Sequence, residues 1–191
     1  MTSFAFIVLC FVQVYVLQPT SGSCQVPCTP SNTPAHIFDY YWRDYVGIIP
    51  EDAIPGGKDK AGVTTYIGQV YIKDRELLPA TIYPGCKTAR ASAYNKELQT
   101  EKNVKILCGR HLEKYKWKTT KNEETHLLTD CHLVVGGHEV GHNLNFGRVN
   151  HDGQVVVGKV FSNPLSNRGL WIPYNGQETH FLSYEILTYG C

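Results

Sequence analysis

Beyond about residue 40 the chain is a series of short runs rich in Val, Ile, Thr, Tyr and Phe, broken by Gly, Pro or Asp-Gly at strand-length spacing. That texture predicts antiparallel strands and no helices. Residues 64–70 and 154–160 are too short and too β-branched for globular helices, and the charged stretches KDRE (73–76) and NHDG (150–153) read as hairpin turns. The first 23 residues differ: they hold no Asp, Glu, Lys or Arg, and 4–17 is an almost unbroken apolar run. It is too short to span a bilayer and reads as a secretory signal, with cleavage expected between Ser23 and Cys24. Residues 24–40 then open with CQVPCTPSNTPA, a Pro- and Cys-rich arm unable to form a periodic helix or a central strand.

Laid against itself, the chain repeats. Residues 56–82 read GGKDKAGVTTYIGQVYIKDRELLPATI and residues 136–160 read GGHEVGHNLNFGRVNHDGQVVVGKV. Allowing one-residue gaps, Tyr66 faces Phe146, Gly68 faces Gly147, Val70 faces Val149 and Asp74 faces Asp152. Further on, Tyr94-Asn95 face Tyr174-Asn175 and Ile106-Leu107 face Ile186-Leu187. Two copies are expected, over 41–119 and 120–191. One such unit buries only one face of its sheet, so the copies should pack on each other about a pseudo-twofold axis. The Gly-Gly pairs should serve backbone geometry, through positive φ or close strand approach.

Charge and cysteines narrow the class. A net charge of +1, with Lys and Arg scattered through both halves, offers no basic patch for nucleic acid or acidic lipid. Nothing after the leader is apolar enough for membrane insertion. Of the seven cysteines, Cys10 leaves with the signal. The remaining Cys24, Cys28, Cys86, Cys108, Cys131 and Cys191 predict a disulfide-stabilised secreted protein with three bridges, whose pairing the sequence does not fix; Cys24–Cys28 and Cys86–Cys108 are the local guesses.

With Trp42, the run GIIP (47–50), Ala53, GGKD (56–59), and in the second copy GGHE, FGR, GKV and IPYNGQE…SYEIL, residues 41–191 resemble the DM-nine repeat of invertebrate proteins. The resemblance implies an all-β tandem-repeat unit, often dimeric, with members that act as mannose-binding lectins and pattern-recognition proteins of innate immunity. It further implies a sugar site made of the Asp of GG-x-D and the Lys of P-G-K. The first copy supplies Asp59 but carries Thr81 at the Lys position, and the second supplies Lys159 with Glu139 in place of Asp. Neither copy has the full pair, and the second is the better site. The chemistry suits a sugar, since a carboxylate accepts from vicinal hydroxyls while an ammonium donates to a third oxygen. A blander role is open for the same residues: each acid capping N–H groups after a tight Gly-Gly turn, and Lys159 a solvated strand-end charge.

One motif points elsewhere. His138-Glu139-Val140-Gly141-His142 spells H-E-x-x-H, which on a helix would bind zinc through both His and use the Glu as general base. The preceding Gly136-Gly137 and the internal Gly141 disfavour that helix, and the repeat explains the spacing without metal. His151 could join an adventitious metal site. No cofactor and no catalytic step are expected. Of Trp42, Trp117 and Trp171, most should be core, although an exposed one would stack on sugar. No acceptor for N-glycosylation occurs, because Asn32-Thr33 is followed by Pro34. The expected function is binding of mannose-type glycans outside the cell. The alternatives are a secreted partner-binding protein whose sugar site has decayed, and a zinc peptidase.

Overall fold

The computed structural model describes residues 39–163 and 166–191. The expected leader and nearly all of the arm, with Cys24 and Cys28, lie outside the described residues.

Strands follow one another along the chain as the hydrophobic pattern predicts. The first set is β1 (Tyr40–Asp44), β2 (Pro55–Lys58), β3 (Thr64–Ile72), β4 (Glu76–Ile82), β5 (Ala89–Ala93), β6 (Lys96–Thr100) and β7 (Val104–Gly109). The second is β8 (Tyr115–Lys121), β9 (His132–Leu133), β10 (Val135–Glu139), β11 (His142–His151), β12 (Gln154–Phe161), β13 (Gly169–Tyr174), β14 (Gln177–Phe181) and β15 (Ser183–Tyr189). Single 3-10 turns at Leu112–Lys114 and Thr125–Leu127 are the only helical pieces among the described residues. Both charged stretches are hairpin turns, joining β3 to β4 and β11 to β12.

The two sets pair alike. β1–β7, β7–β3, β2–β3, β3–β4, β4–β5 and β5–β6 are antiparallel ladders. β8–β15, β15–β11, β10–β11, β11–β12, β12–β13 and β13–β14 reproduce them. The sets join reciprocally: β2 pairs with β12 through Lys58 and Val155, and β10 pairs with β4 through His138 and Leu77. The six strands β2, β3, β4, β10, β11 and β12 thereby close into a ring about a pseudo-twofold axis, as a repeat with one unburied face requires. Across the axis, Gln69 Nε2 donates to the Gly136 carbonyl at 2.8 Å and Arg148 Nη1 donates to the Gly56 carbonyl at 3.2 Å.

Close strand approach explains the Gly-Gly pairs. A Cβ on Gly57 would sit 2.0 Å from the Val155 carbonyl oxygen, and one on Gly137 would sit 2.1 Å from that of Leu77. Real Cβ atoms do not occupy such positions, so only glycine lets the two copies join. The core around this junction is apolar: Ile54, Ile67, Leu107, Val134, Phe146, Val157 and Leu187 form one cluster, with Trp42 and Trp117 packed against it. Each fully buried Leu, Ile or Phe contributes about 1.5–3 kcal/mol.

Two expectations need correction. The ladders match Ile67 with Phe146 and Tyr66 with Asn145, and they match the turn Tyr94-Asn95 with Asn175-Gly176, one residue away from the sequence alignment. Tight I′-type turns, with φ positive at both Tyr94 and Asn95 and at both Asn175 and Gly176, set that register. The Cys86–Cys108 pair does not form. Cys108 lies buried on β7 in the core and Cys86 lies exposed in the β4–β5 connection, both as free thiols. The described disulfide is Cys131–Cys191, which ties the segment before β9 to the chain end across 60 residues.

Candidate functional site

In the second copy, Glu139 ends β10 and Lys159 lies near the end of β12. Lys159 Nζ stands 2.5 Å from Glu139 Oε2 and 3.0 Å from Glu178 Oε1, and all three side chains keep at most 6% of their surface. The Glu178 contact is ionic, without hydrogen-bond alignment. Two carboxylates meet one ammonium at the bottom of a cleft of 240 Å³, which Arg168 also lines, its guanidinium 5.8 Å from the Phe161 ring centroid. Phe161, Trp171 and Val140 wall it, together with Tyr94 from the first copy. The indole N–H of Trp171 is buried there and finds no acceptor among the described residues. Buried acceptors with spare lone pairs, beside aromatic faces, suit a ligand that presents several hydroxyl donors on a partly apolar ring. Phe161 carries no motif, and Glu178, although it ends the run IPYNGQE, is given no role by sequence reasoning. A signal existed for Glu178, since an acid, Glu97, stands at the matching place in the first copy.

The first copy arranges its residues differently. Asp59 Oδ1 accepts from the backbone N–H groups of Ala61 and Val63 at 2.9 and 2.8 Å, the capping role expected of an acid after a Gly-Gly turn. Thr81 is buried and donates its hydroxyl to the Val157 carbonyl at 3.1 Å. Asp59 lines the corresponding cleft of the first copy, of 400 Å³, with Tyr83, Arg90, Glu97, Pro173 and Tyr174. Thr81 does not reach it. The sequence pairs Asp59 with Thr81 as one site; the structure brings together only Glu139 and Lys159.

H-E-V-G-H is a hairpin. Val140 and Gly141, with φ of 49° and 77°, form the turn, and Glu139 pairs with His142 across it. Glu139 and His142 line the cleft, whereas His138 faces away and contacts Glu76 Oε2 through Nδ1 at 2.5 Å. Side chains alternate along a strand, so the two His point to opposite sides and cannot share one metal ion. Glu139, bound to Lys159, is unavailable as a general base. The peptidase alternative falls on this geometry.

The model of the DM9 repeat matches residues 59–181. The chain belongs to the DM9 repeat family. No curated protein matches it. Among solved structures, this DM9 chain is similar to the crystal structure of the nematode sperm cell motility protein MFP2B, with a TM-score of 0.59 and 15% identity. That similarity covers 88% of this chain and 52% of the other, so the chain spans about half the length of that protein. At this identity the likeness speaks for the shared fold.

Proposed function

We propose that this DM9 protein is a secreted, non-catalytic carbohydrate-binding protein whose principal site is the Glu139–Lys159–Glu178 cleft, taking neutral sugars of the mannose type. The observation that carries the reading is the buried ammonium held between two carboxylates, 5.4 Å from the Phe161 ring centroid, in a cleft that Trp171 also lines. Lys159 fixes the two acids, and their remaining lone pairs accept from vicinal hydroxyls while an aromatic face covers the ring C–H groups. The apolar leader and the Cys131–Cys191 bridge support an oxidising, extracellular setting, which suits recognition of microbial or host glycans. Weak single sites would gain useful avidity in a homodimer on a repetitive surface.

The test is titration of mannose and mannose oligosaccharides into the oxidised chain, with and without a chelator, beside the Glu178→Gln variant. Mannose binding that survives the chelator and falls about ten-fold in Glu178→Gln is expected, one charge-assisted contact being lost. Unchanged affinity in the variant removes the site assignment, and absence of neutral-sugar binding removes the reading.

A further inference from the structure

The two clefts are equivalent in position, and each has an arginine in its lining, Arg90 in the first and Arg168 in the second, but only the second also holds a buried lysine between two acids. Strand register places Arg90 opposite Thr81 on β5, where the second copy has Trp171 opposite Lys159 on β13. With threonine in the lysine slot turned to the Val157 carbonyl, the cation of the first cleft comes from the next strand. Its side chain keeps 46% of its surface, and Nη1 approaches Glu97 Oε1 only to 3.7 Å, beyond hydrogen-bond length. The guanidinium lies over the Tyr83 ring, 4.8 Å from the centroid, and donates no hydrogen bond among the described residues.

Every other charge in this cleft is committed. Asp59 accepts the two backbone N–H groups of its own turn. Glu97 accepts from Gln99 Nε2 at 3.0 Å through Oε1 and from the Gly176 backbone N–H at 2.9 Å through Oε2. Lys60 is ion-paired to Asp152 at 2.5 Å, and Asp152 in turn accepts from the Tyr174 hydroxyl. What remains is a half-exposed fork of N–H donors, pre-oriented by Tyr83 and walled by Tyr174 and Pro173. Such a fork matches a planar or tetrahedral anion by paired hydrogen bonds.

We infer that the first cleft is a separate binding site for acidic saccharides, in which Arg90 takes a carboxylate or sulfate group while Tyr83 and Tyr174 flank the ring. The saccharide class rests on the carbohydrate reading above; the anion preference rests on Arg90 alone.

The experiment titrates the whole oxidised chain with a glucuronate-terminated oligosaccharide, a sulfated oligosaccharide, a neutral mannose oligosaccharide and inorganic sulfate, using wild type, Arg90→Gln, Arg90→Lys and Glu178→Gln. An acidic probe should bind wild type and Glu178→Gln equally and weaken with salt. Arg90→Gln should lose about ten-fold or more, and Arg90→Lys an intermediate amount, because charge persists without the fork. Which acidic probe binds identifies the anion, and sulfate alone should bind far more weakly than either. Acidic binding that survives Arg90→Gln, that Glu178→Gln abolishes equally, or that inorganic sulfate equals overturns the proposal, as does neutral binding with no acidic binding. Acidic binding lost in Arg90→Gln, without any mannose binding, upholds this site and removes the neutral one. If no saccharide binds, both fall.

Discussion

Asn95 donates its backbone N–H to Glu178 Oε2 at 2.7 Å, so the tip of a first-copy hairpin rests on a carboxylate of the second-copy cleft. The reverse contact, from the Gly176 N–H to Glu97, rests the second hairpin tip on the first cleft. Neither cleft belongs to one copy. Tyr94, beside Asn95, walls the cleft of the other copy and sits at φ 53°. Replacing it by glycine relieves the backbone and removes the ring. The expected result of Tyr94→Gly, by titration calorimetry with a mannose oligosaccharide, is a loss of about 0.5–1.5 kcal/mol, roughly two- to twelve-fold, with a nearly unchanged unfolding midpoint.

Val140 is a β-branched residue at φ 49°, 62% exposed, in a turn that would favour Asn-Gly. It also lines the second cleft. Val140→Asn should therefore gain about 1 kcal/mol in urea unfolding, where backbone strain is released, while losing affinity for neutral glycan. A gain in both would mean that the valine has no part in binding.

Glycine at the ring junctions is a steric requirement. Gly57→Ala and Gly137→Ala each drive a methyl group into a carbonyl of the opposite copy. Losses of about 3 kcal/mol or more are expected in urea denaturation, at the upper end of overpacking costs. Lys58→Ala, on the exposed neighbour, should cost far less.

Lys159→Met leaves Glu139 and Glu178 buried together without a cation. Breaking a buried pair from one side costs about 3–5 kcal/mol. The triple variant with Glu139→Gln and Glu178→Gln should recover much of that in the same unfolding assay, because the uncompensated charge is gone. Failure to recover would point to packing by the lysine stem.

The free thiols should differ in reactivity. Burial, reinforced by nearby Asp52, pushes the Cys108 thiol up to about 11, leaving scarcely any thiolate at pH 8. Alkylation of the native chain followed by peptide mapping should mark Cys86 and spare Cys108, and unfolding should expose both. Reducing Cys131–Cys191 should cost about 4 kcal/mol for a loop of this length.

Much of this was legible from residue order, and the rest failed for identifiable reasons. Runs of β-branched and aromatic residues between Gly and Asp turns encode the strands, and internal repetition encodes the twofold arrangement. The role of Asp59 followed from its place after two glycines. Matching by aromatic identity is one residue off at Tyr94, where positive φ sets the turn, and at Tyr66, where the β2–β3 connection is one residue longer than the Val140-Gly141 turn of the second copy. Glu178 and Arg90 escaped because their importance arises only when hairpins from both copies meet, a contact between residues far apart in the chain. Cys86 and Cys108 looked like partners by proximity in sequence, yet one lies in a strand of the core and the other in a surface connection.

The ring of six strands has a consequence for how such a chain could arise. A single repeat exposes β2 and β4 edges that only a second copy can cover, so a one-repeat ancestor would close the ring as a symmetric dimer with two identical clefts. Joining the copies in one polypeptide keeps the junction and lifts the demand for identity. A substitution in one cleft then no longer appears in the other, which permits lysine with tryptophan on one side and threonine with arginine on the other.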